Sequence, residues 1–432
     1  MPNLAHSGGN SRRSAGLVFI FITVVLDMLA LGMIVPVLPK LVEDFVAGNT
    51  ARAAAVFGLF STVWAMMQFL FSPVLGSLSD RYGRRWVVLL SNFGLGADYV
   101  LMALAPNLRW LFVGRVISGM TAASFSAASA YIADVSPPEK RSGSFGMLQA
   151  AFGLGFVIGP AVGGILGNYD PRLPFWVAAA MSLLNFTYGL FVLPESLRPE
   201  QRQRFSWKRA NPLGSLKLLR SHVELSGLAA VSFIGNIAHE ALPTTFVLYA
   251  MYRYGWNDRT VGIAIALVGL CSAVVGAGLV QTVVARLGER WTMLAGQAFG
   301  ILGFILYGTA SVAGLFWTAV PIGSLWGLSG PPMQNLMTRR VKLSEQGQLQ
   351  GALSSLRGIA FMVGPVLFTK TFARFIGPNR NSNWSGAPYL LAAGLLTVAT
   401  MLAAYVTRPQ IRRAIDPTAD ESIEGQSLET ST

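Results

Sequence analysis

Asp27 stands between Leu26 and Met28 inside a long apolar run. A carboxylate at the centre of a hydrocarbon layer costs about 2.5–3.5 kcal/mol on insertion scales, so it must be protonated, paired or in contact with water. Burial favours the protonated form and a nearby cation the ionised one, so a small rearrangement can load or release a proton. A fixed ion pair would account for the same residue. Arg115, in another apolar run, is the natural partner, because it opens a stripe of small residues (Gly119, Ala122, Ser126, Ser129) that permits close helix contact. An arginine near a helix end can also snorkel as a simple anchor. Asp98, followed by Tyr99, is a second acid within an apolar run.

Further along, His239 and Glu240 precede Pro243, and Arg357 is a cation inside an apolar stretch. Histidine switches charge near neutral pH, and an acid inside a membrane is functional by default. A Glu240–Arg357 contact between neighbouring helices is one arrangement. Among the uncharged amides, Gln149, Asn236, Gln334 and Asn335 are candidate donors or acceptors for a small-molecule substrate. The three histidines (His6, His222, His239) are scattered and Cys271 is the one cysteine, so neither a nucleophile–base pair nor a metal-ligand set assembles. The expectation is a protein that is not an enzyme and needs neither metal nor cofactor.

These residues need membrane-spanning helices to position them. Of 432 residues, 53% are apolar and only 12% charged, about half the charge of a soluble domain. Nearly uncharged apolar segments of 18 or more residues recur along the chain, each long enough to cross a core of about 30 Å. The alternation of a membrane barrel is absent. Twelve spans are expected, near 15–39, 53–79, 86–105, 108–133, 142–167, 173–193, 223–252, 259–286, 291–310, 314–339, 346–376 and 386–406. The net charge of +13 could suggest a nucleic-acid ligand, but 22 lysines and arginines fall on the side holding both termini and 9 on the other. Such asymmetry marks the cytoplasmic side, so both termini are expected inside and no nucleic acid is implied. Residues 1–14 lack a cleavage pattern and read as a cytoplasmic tail, with the first span retained as an anchor. Residues 407–432 turn acidic and Ser/Thr-rich and read as a disordered tail.

The loop Gly76-Ser77-Leu78-Ser79-Asp80-Arg81-Tyr82-Gly83-Arg84-Arg85 joins two spans and packs one acid and three arginines between glycines. At an offset of 205, Arg81-Tyr82-Gly83-Arg84-Arg85-Trp86 answers to Arg286-Leu287-Gly288-Glu289-Arg290-Trp291. Phe156-Val157-Ile158-Gly159-Pro160 answers to Phe361-Met362-Val363-Gly364-Pro365, and Gly146 to Gly351, at the same offset. The chain therefore reads as two parallel six-helix repeats, 15–193 and 222–406, around a basic linker at 194–221. In such an arrangement a site forms between the halves and rocking exposes it alternately, although an inert duplicated scaffold would show the same offset. Asp80 has Ala285 as its counterpart, so the two loops are not equivalent. Asp80 and Arg81 are expected to form a charge network with neighbouring helix ends, including the second half's, that holds an outward-facing state closed inside.

Taken together these motifs resemble the major facilitator superfamily and, within it, the drug/proton antiporters of the tetracycline-exporter type, over residues 17–406. Gly76-x3-Asp80-Arg81-x-Gly83-Arg84-Arg85 matches the superfamily loop, Arg115-x3-Gly119 resembles the motif of helix four, and Gly155-x3-Gly159-Pro160-x2-Gly163-Gly164 resembles the antiporter motif of helix five. Asp27 with Gly32, Pro36 and Pro39, the pair Asp98-Tyr99, Arg253-Tyr254-Gly255-Trp256-Asn257 and Gln346-Gly347-Gln348-Leu349-Gln350-Gly351 are similar to the tetracycline exporters. The resemblance implies a major facilitator fold, coupling of Asp27 to Arg115, a leak-limiting interface at 155–164, a bacterial inner-membrane location and action as a monomer. The function implied is export of a small amphipathic compound against protons, with the proton gradient as energy source. A proton-independent facilitator or importer, or a non-transporting scaffold, would keep the fold. Cys271 stands where those exporters carry a histidine, and the acid they carry near Gly300 is missing, so tetracycline itself does not follow.

Overall fold

The computed structural model describes residues 7–408 apart from 123, 137–140, 204, 206–210, 212–213, 221–222, 343–344 and 377–383. Residues 1–6 and 409–432 of the two expected tails, with His6, and also His222, therefore lie outside the described residues, while residues 7–14, expected as tail, are helical. The described residues are almost entirely helical. In the first half, span 1 is Ser7–Ile34, continued after a short turn by Leu38–Phe45, and span 2 is Thr50–Tyr82. Arg84–Leu104 is span 3, Leu108–Thr121 with Ser124–Val135 span 4, Arg141–Tyr169 span 5 and Leu173–Val192 span 6. In the second half, span 7 is Val223–His239 with Ala241–Tyr254, and span 8 starts at Asp258–Val274. Span 11 is Gln346–Phe375 and span 12 Ala387–Val406.

Among the described residues ten helical segments are long and apolar enough to cross a membrane. One of them, Asp258–Thr309, has 52 residues, about 78 Å of helix, far more than one crossing needs. Gly288 divides it with φ 74° and ψ 166°, so span 8 ends and span 9 begins there. A further crossing is broken: Ala313–Ser324 contains Pro321, Leu325–Ser329 tightens to a 3-10 turn, and Gly330–Thr338 starts at two prolines. This is span 10, and with it the described residues trace twelve traverses.

Asparagines mark several helix starts on the face opposite the described chain ends. Asn49 accepts from the Arg52 amide, Asn107 from those of Arg109 and Trp110, and Asn257 from that of Thr260. Each satisfies backbone donors that a helix start leaves unmet. On the face carrying the chain ends, hereafter the terminal face, the sharp turns fall at Gly83 (φ 110°) and Gly288 (φ 74°), where a side chain would be strained.

Two helix seams join the halves, span 2 against span 11 and span 5 against span 8. Toward the opposite face both seams are tight. Gly58 of span 2 leaves room for Thr369 and Pro365 of span 11, and Thr62 Oγ1 donates to the Met362 carbonyl at 2.8 Å. A side chain at Gly262 of span 8 would strike the Pro160 carbonyl and the backbone of Gly164 in span 5. Toward the terminal face the same helices diverge: side chains added at Gly76, Gly146, Gly153, Gly276 or Gly347 would meet nothing within 4 Å. The molecule is thus closed on the opposite face and open on the terminal one.

Candidate functional site

Spans 3 and 4 form an antiparallel hairpin turning near residue 106, so positions equally far from the turn lie at one depth. Asp98 and Arg115 satisfy this condition. Arg115 donates from its guanidinium to Asp98 Oδ2 at 3.1 Å, and the two side chains are about 10% and 0% exposed. Gly114 makes the approach possible, since a Cβ there would lie 2.5 Å from Asp98 Oδ1. One turn beyond, the Trp64 indole donates to Ser118 Oγ at 3.2 Å and ties the hairpin to span 2.

Arg115, the cation expected opposite Asp27, is thus hydrogen-bonded to Asp98. Adjacency decides this: Asp98 sits on the helix to which Arg115 is covalently hairpinned, while Asp27 arrives on span 1. Asp27 is 2% exposed, and its charge, like those of Asp98 and Arg115, reaches the Tyr99 side chain. The three groups therefore form one buried neighbourhood of the first half.

The small residues of span 5 serve two surfaces. Gly155, Gly159 and Gly163 recur every fourth residue and press on Met28, Leu29, Gly32 and Met33 of span 1, around the turn that carries Asp27. Gly164 and the Pro160 carbonyl instead face Gly262 and Asp258 of span 8. Span 5 therefore links the Asp27 helix to the seam with the second half. Beside that seam Lys40 pairs with Asp258 Oδ2 at 3.0 Å, bridging the halves on the opposite face. Asp258 has no side-chain exposure and Lys40 about 35%. Neither residue was among the candidate site residues expected from the sequence.

In the loop at 76–85, Asp80 pairs with Arg84, and Arg84 Nε also reaches Asp134 Oδ2 at the end of span 4, 3.1 Å away. The Arg84 amide donates to Glu195 Oε1 at 2.8 Å, and Gln203 N to the Asp80 carbonyl at 3.0 Å. Arg85 donates to the Leu190 carbonyl at 2.6 Å, while the Arg81 guanidinium lies over the Tyr82 ring. All these partners belong to the first half or the linker, as the open terminal face requires.

In the second half, His239 Nδ1 stands 3.7 Å from Glu240 Oε1. The Arg357 guanidinium lies over Phe361, 5.0 Å from its centroid, and no ion pair joins it to Glu240 among the described residues. Gln149, Gln334, Asn335 and Arg357 are exposed, and Asn236 is half-buried with a 3.4 Å hydrogen bond to Ser232. Where an acid is absent at Gly300, the Trp326 side chain packs instead.

A fold of two six-helix halves open on one face, with ionisable groups at membrane depth, defines a membrane transporter. The profile of the Major Facilitator Superfamily matches residues 20–365, and the chain belongs to that superfamily, among proteins of the tetracycline-resistance type. It is 35% identical over 385 residues to the class C tetracycline resistance protein of Escherichia coli, covering 88% of this chain and 94% of that one. It is also 28% identical to the human hippocampus abundant transcript-like protein 1, across 89% and 79% of the two chains. Among solved structures it is similar to a bacterial homolog of the human lysosomal transporter Spinster in an inward-facing, occupied conformation, with a TM-score of 0.75, 15% identity and coverage of 92% and 97%. The human organic anion transporter MFSD10 gives a TM-score of 0.66 at 22% identity, with coverage of 90% and 99%. The chain is a multi-pass membrane transporter and not an enzyme.

Proposed function

We propose that this protein exports a small amphipathic compound in exchange for protons. The observation that carries the reading is the charge count of the first half's interior. Among the described residues Asp27 and Asp98 are two buried acids that share their neighbourhood with the Arg115 guanidinium. With two carboxylates in one buried neighbourhood, keeping the second one ionised is costly. A proton is the cheapest way to neutralise it, and water reaching the site through an open face is the way to release it.

Span 5 supplies the coupling. Its glycines touch span 1 at the turn bearing Asp27 and span 8 at the seam, so a shift of span 1 is felt where the halves meet. The charge asymmetry makes the terminal face cytoplasmic, which makes the open state inward-facing, ready to take substrate from inside. A bacterial inner-membrane location, cytoplasmic termini and action as a monomer belong to the same reading. The names of the tetracycline resistance relatives favour a drug-like substrate.

The test is reconstitution with an imposed pH gradient. Wild type is expected to concentrate substrate uphill and to move protons when substrate is added. Asp27→Asn is expected to pass substrate only downhill, without proton movement. Uphill transport by Asp27→Asn would show that Asp27 is not the proton site, and unchanged wild-type transport without a gradient would favour a proton-independent facilitator.

A further inference from the structure

Span 7 is interrupted at its middle. Pro243 has no N–H to give the His239 carbonyl, so the helix stops at His239 and resumes at Ala241. The interruption displays two neighbouring side chains that a continuous helix would splay by about 100°. The Glu240 side chain, 11% exposed, and that of His239, 58% exposed, bring carboxylate and imidazole within 3.7 Å. Their surroundings belong to the second half: Gly364 of span 11 packs on the Glu240 stem, and the Trp326 ring of span 10 lies 5.8 Å from the His239 ring.

Trp326 is itself held in place. Phe304 meets it edge-on at 5.6 Å, Gly300 leaves room for its Cβ and Cγ, and Gly235 of span 7 lies against its ring edge. The 3-10 turn Leu325–Ser329 that carries it is where span 10 departs from regular helix. Two adjacent helices thus break at one place and present a carboxylate, an imidazole and an indole together.

A carboxylate on a side chain this buried is costly unless a cation meets it. Lys40 is committed to Asp258 and Arg357 to Phe361. Among the described residues His239 is the ionisable neighbour shown for Glu240, and it lies beyond hydrogen-bond distance. An indole face beside an anion is the combination that recognises an organic cation. We infer that Glu240, His239 and Trp326 form the subsite for a cationic nitrogen of the transported compound, the carboxylate meeting the charge and the indole its apolar substituents. This rests on the export reading above and names its substrate class: amphipathic compounds bearing a protonated or quaternary nitrogen.

Binding to the full chain in lipid nanodiscs, by equilibrium dialysis, tests the subsite separately from proton coupling. Two pairs of probes suffice: tetracycline with 4-de(dimethylamino)tetracycline, which lacks the amine, and ethidium with neutral chloramphenicol. Wild type is expected to bind at least one cationic member about tenfold more tightly than its neutral counterpart, as a hydrogen bond to a charged group or a desolvated cation–π contact allows. Glu240→Gln is expected to erase that preference while neutral-probe affinity changes less than about twofold, Glu240→Asp to retain it, and Trp326→Leu to reduce it about threefold. No preference in wild type, a preference surviving in Glu240→Gln, or equal loss for both probe classes would overturn the assignment. So would rescue of Glu240→Arg by Arg357→Glu, which would make Glu240 part of a structural ion pair. Failure of the proton reading would appear elsewhere, as an Asp27→Asn protein that still moves protons while the Glu240 preference stands.

Discussion

The two halves share a backbone and divide the charges differently. At the terminal turns Arg84 reaches Asp134, and 205 residues later Glu289 reaches Arg339 at 3.0 Å. The same two positions are paired in both halves with the signs exchanged. Arg85 and Arg290 each tie their turn to the last span of their half, through Leu190 and through Ala404 with Thr407. In the interior the correspondence ends: Asp98 and Arg115 answer to Gly303 and Val320, and Glu240, a buried acid of the second half, stands at a helix break instead. Clamps that hold a half together survive either arrangement of sign. Charges inside the membrane are costly, so each half keeps only those its own task requires. In our reading the task is proton handling in the first half and substrate charge in the second.

The strongest way to break the comparison is to give the first half one of the second half's interior residues. Arg115→Val leaves Asp98 buried without its cation and is expected to cost about 3–5 kcal/mol, seen as a drop in thermal unfolding temperature in nanodiscs. Asp98→Ala with Arg115→Val removes both charges, as in the second half, and should recover most of that stability while substrate-driven proton movement stays absent. Recovery of proton movement would contradict the division of labour.

The seams offer a second contrast, between two ends of one helix. Gly262→Ala pushes a methyl into the Pro160 carbonyl and should cost the closed seam about 1–3 kcal/mol, shifting the population toward opening on the opposite face. Gly276→Ala, facing open space, should change stability by about 1 kcal/mol or less. Accessibility of single cysteines on the two faces reads both. Lys40→Met should act like Gly262→Ala, because it leaves the Asp258 carboxylate without its bridge at a cost of about 1–3 kcal/mol; unaltered accessibility would mean the pair holds nothing closed. The smallest effect is expected at the terminal clamps. Arg84→Glu should cost about 1 kcal/mol or less, as part-exposed pairs do, and Asp134→Arg should restore it by reproducing the Glu289–Arg339 arrangement.

Much of this was legible before the fold was known. The hydropathy pattern gives the spans, and the offset of 205 gives the halves and even the positive-φ turns at Gly83 and Gly288, since only glycine is at ease there. The spacing of Gly155, Gly159 and Gly163 shows a surface for close helix contact. The Asp98–Arg115 pair could have been found by measuring both residues from their shared hairpin turn. Lys40–Asp258 and Trp326 over Gly300 could not, because they join residues 218 and 26 apart across helices whose rotation no local pattern states.

What the sequence determined by itself is membrane residence, helix number, repeat and the residues too costly to be passive. These follow from transfer energies and backbone sterics, which act residue by residue. Only the tertiary structure decided which acid holds Arg115, which face of span 5 meets which half, and that the molecule stands open on the terminal face. Those outcomes depend on helix rotation and on the relative tilt of two halves, set by packing among residues far apart in the chain.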